Sequence, residues 1–408
     1  MEERRLTIAG NSNSNNGHLP STMIEEILSR LPVKSLCRFK CVSKPWSSLI
    51  SDDPSFVALH LCKGFGEDKD DLLFRRRRRV IFTDAAGNGL HSMHLDYDDE
   101  FLNHNNEEDA SYYHDNRNRN SFDFDDDDEE EEEGGGSNLL ATATELQYVY
   151  SELSGISVSM LGCCNGLLLC MFLYDPQLYL VNPATRQSKK LPQIPTQYTI
   201  DDLYFCNVYG FGFDSSTHQH KVVNGVVYRR NVRDDDEGGV EFNVYALETN
   251  SWRQIQCLFP HHIFPCQNKG TLLNGNLHWL GTREEVREIP LPREINSSQT
   301  RRTKLGVFRE WLCVTLEGDY GKATPTYNEF WVMKEYGVGE SWTKMRVSIP
   351  YWNLSHSGFW TKSHDLMVFE EKLVMYNFND HSFQNLCVRE IGKVGSVETY
   401  LESLVSLK

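Results

Sequence analysis

Residues Leu19–Ile50 read LPSTMIEEILSRLPVKSLCRFKCVSKPWSSLI. Ser21 or Thr22 can cap a helix start, and Thr22 with Glu25 has the spacing of a capping box. Ile24, Ile27, Leu28 and Leu31 then recur at i, i+3, i+4 and i+7, the pattern of an amphipathic helix of about three turns that Pro32 ends. Leu36 and Phe39 lie three apart on a second short helix. Ser43 precedes Lys44, Pro45 and Trp46 as a cap followed by proline in the first turn, and Trp46, Leu49 and Ile50 repeat the helical spacing. Three helices this short cannot enclose so many large side chains, because a module under roughly 40 residues is marginal without a disulfide, a metal or a partner. Cys37 and Cys41 have no nearby histidine or second cysteine pair, which argues against a metal. The surplus apolar surface is either covered by the rest of the chain or docks another protein's helices. Four or five anchors at roughly 1.5–3 kcal/mol each would suffice for useful binding after association costs.

Leu19-Pro20, Ile27-Leu28, Leu31-Pro32, Ser35-Leu36, Phe39-Lys40, Val42-Ser43-Lys44, Trp46, Leu49-Ile50 and Phe56 together resemble an F-box in its plant form. The resemblance implies contact with a Skp-type adaptor, and through it a cullin and a RING subunit, in an SCF ubiquitin ligase. The residues expected at that contact are Leu19, Pro20, Ile24, Ile27, Leu28, Leu31, Pro32, Leu36, Phe39, Val42, Trp46 and Leu49. Their spacing alone does not separate the docking face from the module's own small core.

Composition narrows the rest. The chain has 408 residues, 39% of them hydrophobic, and a net charge of -17. Residues Asp96 to Gly136 hold 18 Asp and Glu against 2 Arg, so nearly all of that charge sits in one insert. The remainder is close to neutral and implies no field toward nucleic acid. The N-terminus lacks an apolar signal region, and the longest apolar run, Leu167 to Tyr174, falls far short of the roughly 20 residues of a membrane helix. Eleven cysteines without a C-x-x-C pair read as reduced thiols. These features predict a protein of the cytoplasm or nucleus, or both, with no membrane partner.

The chain divides by pattern into a polar N-terminus expected to be disordered (1–17), the helical unit (18–60) and a β domain (61–405) carrying an acidic, disordered insert (96–136). Arg75 to Arg79 is either a nuclear-localisation or nucleic-acid patch, or part of a strand with its arginines on the solvent face. The flanking Leu72-Leu73-Phe74 and Val80-Ile81-Phe82 favour the strand. From Leu139 onward, short apolar strands alternate with turns at Asn165-Gly166, Asn182-Pro183, Asn274-Gly275 and Glu371-Lys372. A strand, a polar turn and an aromatic recur at Val244-Tyr245 to Trp252, Trp331-Val332 to Trp342 and Met375-Tyr376 to Phe383. The aromatics are 90 and 41 residues apart. With one weak intermediate unit that is a period of about 41 to 45, which favours propeller blades over a β-sandwich. The expected fold class is therefore α+β multidomain, a three-helix F-box followed by an all-β, kelch-like β-propeller domain.

GCCNGLLLC, LVNPATRQSKKLP, YGFGFD with Lys221-Val222-Val223, VYALETNSWRQI and LLNGNLHWLG are similar, in this order, to segments of the plant F-box-associated domain. That resemblance implies a domain that holds a target protein. It breaks after Gly281, where only Glu284 to Glu288 precede Ile289-Pro290-Leu291-Pro292, so one blade is expected to be shortened. No phosphate loop, nucleophile elbow or H-E-x-x-H is present. His218-x-His220, His261-His262 and His91-x-x-His94 lack a partner ligand at a telling spacing and read as turn or surface histidines. No cofactor, metal or catalytic residue is expected. The chain reads as a non-catalytic, substrate-recognition subunit of a ubiquitin ligase; the alternative is a propeller module that binds a protein or small ligand without a ligase role.

Overall fold

The computed structural model describes residues 19–64, 76–95, 137–147, 157–172, 175–195, 204–229, 238–255, 269–280, 289–295, 303–316, 327–349, 354–361 and 363–407. The N-terminal stretch, the acidic insert, Leu72 to Arg75, His261-His262 and Glu284 to Glu288 lie outside them.

The helical unit contains α1 (Ser21–Leu28), α2 (Val33–Phe39), α3 (Lys44–Asp52) and α4 (Pro54–Gly64). The expected capping box at Thr22 and Glu25 does not form. Pro20 occupies the cap position in an extended conformation, so Ser21 and Thr22 already belong to the first turn. Ser43 does cap α3, accepting the Trp46 N–H at 3.3 Å with Pro45 behind it. The fourth helix corrects the three-helix expectation. Asp52-Asp53-Pro54 does break α3, but Asp53 Oδ1 then accepts the N–H groups of Ser55 (2.8 Å) and Phe56 (3.2 Å) and starts a new helix. Leu28, Val33, Leu36, Ile50 and Phe56 fill the core of the unit, and Leu404, from the far end of the chain, completes it.

The remainder is all β, in chain order β1 (Arg78–Asp84), β2 (Leu90–Met93), β3 (Ser137–Ala141), β4 (Thr144–Glu145), β5 (Val158–Cys164), β6 (Leu167–Phe172), β7 (Asp175–Asn182), β8 (Gln187–Lys190), β9 (Tyr204–Asp214), β10 (Gln219–Arg229), β11 (Gly238–Ala246), β12 (Ser251–Ile255), β13 (Thr271–Leu273), β14 (Asn276–His278), β15 (Thr303–Phe308), β16 (Trp311–Leu316), β17 (Asn328–Met333), β18 (Trp342–Val347), β19 (Ser355–Trp360), β20 (His364–Phe369), β21 (Lys372–Asn377), β22 (Phe383–Val388) and β23 (Val394–Leu401). They form five propeller blades, β23-β1-β2-β4, β5 to β8, β9 to β12, β15 to β18, and β19 to β22 with β3 added in parallel at the edge. Between the third and fourth blades sits the β13-β14 hairpin alone.

That hairpin stands in the 90-residue gap between Trp252 and Trp342, at the place of the weak intermediate unit, while the stretch after Gly281 on which the expected shortening rests lies outside the described residues. Both tryptophans lie on outer strands, as does Phe383, and the hairpin has no outer strand among the described residues. The ring nevertheless closes, because the inner strands β23, β5, β9, β13, β15 and β19 each contact the next and β19 returns to β23. Closure is sealed by pairing the C-terminal β23 with β1, Arg78 opposite Leu401 through Asp84 opposite Val394.

Blades pack face to face, which accounts for the unbroken apolar runs. On β6, Leu167 and Leu169 pack toward Tyr209, Phe211 and Tyr245 of the third blade, while Leu168 and Cys170 pack toward Ile81 and Tyr400 of the first. Trp252 and Trp342 donate from Nε1 to the carbonyls of Pro192 (2.8 Å) and Pro290 (2.6 Å), pinning outer strands to the segments that follow β8 and β14. Asn165-Gly166 and Asn274-Gly275 turn with both residues at positive φ, as tight hairpins require. The turn between β20 and β21 falls at Glu370-Glu371, one residue before its expected place.

The arginine run departs furthest from expectation. Arg77 and Arg78 are buried, not solvent-facing. Arg78 caps the end of β19, donating to the carbonyls of Trp360 (2.6 Å) and Gly358 (2.5 Å) and lying 4.4 Å from the Phe359 ring centroid. A strand start at a blade junction exposes carbonyls that need donors, and long arginines reach them.

Candidate docking site

The predicted contact residues separate into three groups. Leu19, Ile27 and Val42 are 55%, 50% and 61% exposed, and Pro20 is exposed beside them. Ile24, Leu31, Phe39, Trp46 and Leu49 are half-buried against the module's core, as is Pro32 in the loop before α2. Leu28 and Leu36 are 1% and 0% exposed and belong to that core. Met23, 55% exposed, was not among the predicted residues. Met23 and Ile27 are spaced by four along one side of α1, with Leu19 four residues earlier, before the Pro20 cap, and that second spacing of four is the signal that points to Met23. The neighbouring row, Ile24 and Leu28, turns inward instead.

Packing and charge hold this face in place. Phe39 and Trp46 meet edge to face with centroids 5.7 Å apart, bracing α2 against α3. Glu26 on α1 accepts from Lys63 of α4 at 2.9 Å and from Arg30 Nε at 3.0 Å, and these two cations, Lys63 foremost, lower its carboxyl pKa. His60 of α4 bonds through Nε2 to the Leu31 carbonyl at 3.0 Å. Its Nδ1 accepts from Arg77 at 2.9 Å, and Arg77 also donates to the carbonyls of His60 (2.6 Å) and Glu402 (2.9 Å). The helical unit is thus tied to both the first strand and the last strand of the propeller.

Antiparallel alternation puts the Asn165-Gly166, Pro183 to Arg186 and Asn274-Gly275 turns at the same end of the ring as this unit. Ala184 and Leu404 pack on its core there. The longer connections, between β8 and β9, β12 and β13, β14 and β15, and β16 and β17, leave from the other end. The chain therefore presents an apolar helical face at one end and these four connections at the other, while its longest connection, from β2 to β3, leaves from the helical end.

The described residues bring together no reactive constellation. Burial pushes the thiols of Cys164 and Cys170 up to about 12, which keeps them protonated and unreactive at neutral pH. His220 is buried against Phe213, not on the surface, and burial lowers it to about 4. Among the described residues no group of three potential metal ligands converges, and no helix is long and apolar enough to cross a membrane.

The helical face and the ring each have a counterpart among known families. Residues 17–57 match the F-box domain, and residues 137–404 match the F-box associated beta propeller domain. The chain belongs to the plant F-box proteins. Its relatives include the F-box/kelch-repeat protein At3g23880 of Arabidopsis thaliana, 27% identical over 409 residues that cover 95% of this chain and 96% of the relative. F-box protein CPR1 of the same plant is 24% identical, covering 95% and 88%, and F-box protein At3g07870 is 28% identical, covering 80% and 71%. In this plant F-box protein the domain pair is that of a receptor-type substrate adaptor, and the F-box implies a Skp-type adaptor as partner.

Proposed function

We propose that this F-box protein is the substrate-recognition subunit of an SCF-type ubiquitin ligase, with the Skp-type adaptor docked across Leu19, Met23, Ile27 and Val42. A cullin and a RING subunit join through that adaptor. The target protein is held by the long connections at the opposite end of the propeller, because loops on a rigid scaffold vary while the strands keep their place. The chain acts by proximity: fixing the target near activated ubiquitin raises its effective concentration, so that modification leads to degradation. The same reading places the protein in the cytoplasm or nucleus.

The observation that carries the reading is the group of three half-exposed apolar side chains, Met23 and Ile27 on α1 and Leu19 just before its cap, on a unit latched to the propeller. Burying each is worth roughly 1.5–3 kcal/mol. Co-purification of the full chain with a Skp-type adaptor and its cullin tests it, beside a Met23→Glu/Ile27→Glu variant. Capture by the parent chain and not by the variant supports it; equal capture of both removes α1 from the contact.

A further inference from the structure

A cavity of about 280 Å³ lies where α1 meets the start of β1, lined by Ile27, Arg30, Leu31, Pro32, Arg76 and Arg77. That volume is close to the lower end of the range for small-molecule sites, about 300–1,000 Å³. Its walls are apolar, from Ile27, Leu31, Pro32 and the stems of the arginines. Its charge is one-sided. Arg30 shares the Glu26 carboxylate with Lys63, and Arg76 is exposed at the surface.

Arg77 is the decisive residue. It is 1% exposed, and its hydrogen-bond acceptors are the neutral carbonyls of His60 and Glu402 and the His60 imidazole. Its Nε is buried with no hydrogen-bond partner among the described residues. Glu402 acts on it electrostatically, but that carboxylate is paired with Arg79 at 2.8 Å. A buried guanidinium without its own counter-ion carries a desolvation cost that an anion alongside would relieve. Nη1 and Nη2 of Arg77 are taken by those neutral acceptors, which leaves its Nε–H and its charge to an anion, while the exposed Arg76 supplies a fork that matches a carboxylate in shape.

We propose that this cavity binds a small organic carboxylate with an apolar aryl or alkyl body, its carboxylate among Arg30, Arg76 and Arg77 and its body against Ile27, Leu31 and Pro32. A ligand there bridges the F-box and the propeller directly beside the exposed Ile27. The site shares Ile27 with the proposed adaptor contact, but carboxylate binding is measured on the chain without adaptor, so either reading can fail while the other stands.

The test is calorimetric titration of the full chain with phenylacetate and octanoate, alongside their neutral amides phenylacetamide and octanamide. The expected result is saturable binding of one carboxylate per chain, with the amides weaker by about tenfold or more, as loss of a charge-assisted hydrogen bond predicts. Arg76→Met, which keeps the stem of an exposed residue, lowers carboxylate affinity by a similar factor and leaves the amides and the melting temperature unchanged. Failure of both acids to saturate at millimolar concentration overturns the proposal, as does equal binding of acid and amide or an unaltered Arg76→Met variant. Displacement of the acids by an added Skp-type adaptor would assign the cavity to the protein interface instead, and would equally overturn it.

Discussion

Arg77 and His60 form a fixed donor and acceptor pair at the seam between the F-box and the propeller: Arg77 Nη2 donates to His60 Nδ1 at 2.9 Å. Because Nδ1 accepts, the imidazole is neutral with its proton on Nε2, and that proton goes to the Leu31 carbonyl at 3.0 Å. A line of bonds therefore runs from the end of α1, through α4, to the last strand of the ring.

This pair makes the seam sensitive to acid. Burial, and secondarily the charge of Arg77, lowers the His60 pKa from 6.5 to about 4. A histidine depressed in the folded state binds fewer protons than when unfolded between those two values, so stability falls as pH drops from about 6.5 to 4 and levels off below. Burial lowers His220 to about 4 as well, whereas it raises Asp365 to about 6, which acts in the opposite direction as pH falls. The His60 share is on the order of 3 kcal/mol at most. Urea titrations at pH 7 and pH 4.5 should show a smaller loss for His60→Gln than for the parent.

Removing the cation tests the seam from the other side. Arg77→Ala strands the carbonyls of His60 and Glu402 without donors and should cost about 2–4 kcal/mol. Arg346→Ala removes one of the two exposed partners of Glu329, Lys344 being the other, and should leave the midpoint nearly unchanged. Denaturant midpoints of the two variants, compared at one pH, decide whether the difference is real.

Leu404 is a propeller-side residue in the F-box core. Leu404→Ala should cost about 2–4 kcal/mol, concentrated in the helical unit. Amide hydrogen exchange should quicken in α2 and α4 while β6 and β20 keep their protection. Uniform quickening through all the blades would show that the unit and the ring unfold as one.

The Glu370-Glu371 turn holds two non-glycine residues at φ 47° and 67°. Glu371→Gly relieves a left-handed conformation at an exposed tip and should stabilise the protein by about 0.5–1 kcal/mol. Thermal unfolding of the variant should shift upward; a downward shift would mean that the side chain contributes more than its backbone costs.

Local chemistry was legible residue by residue. The Ser43 cap and the Asn-Gly turns could be read off directly, since each depends on groups within a few positions of one another, and the aromatic period because the same local unit recurs along the chain. Asp53-Pro54 carried a cap signal as well as a break, and only the break was read. Glu371-Lys372 was one residue off because neither glutamate announces a left-handed turn.

By itself the sequence determined most of the stretches that form helices and tight turns, that a propeller of about this repeat follows an F-box, and that the helical unit holds more apolar side chains than it can bury. Only the tertiary structure decided which of them turn outward, Leu19, Met23 and Ile27, and which turn inward, Leu28 and Leu36. It also put Arg77 in the interior and set Leu404 in the same core as Phe56. The physical reason is range. Propensity, capping and turn chemistry act between neighbours, whereas a side chain's burial depends on what closure brings to it, and here the pairing of β1 with β23 brings together residues more than 300 positions apart.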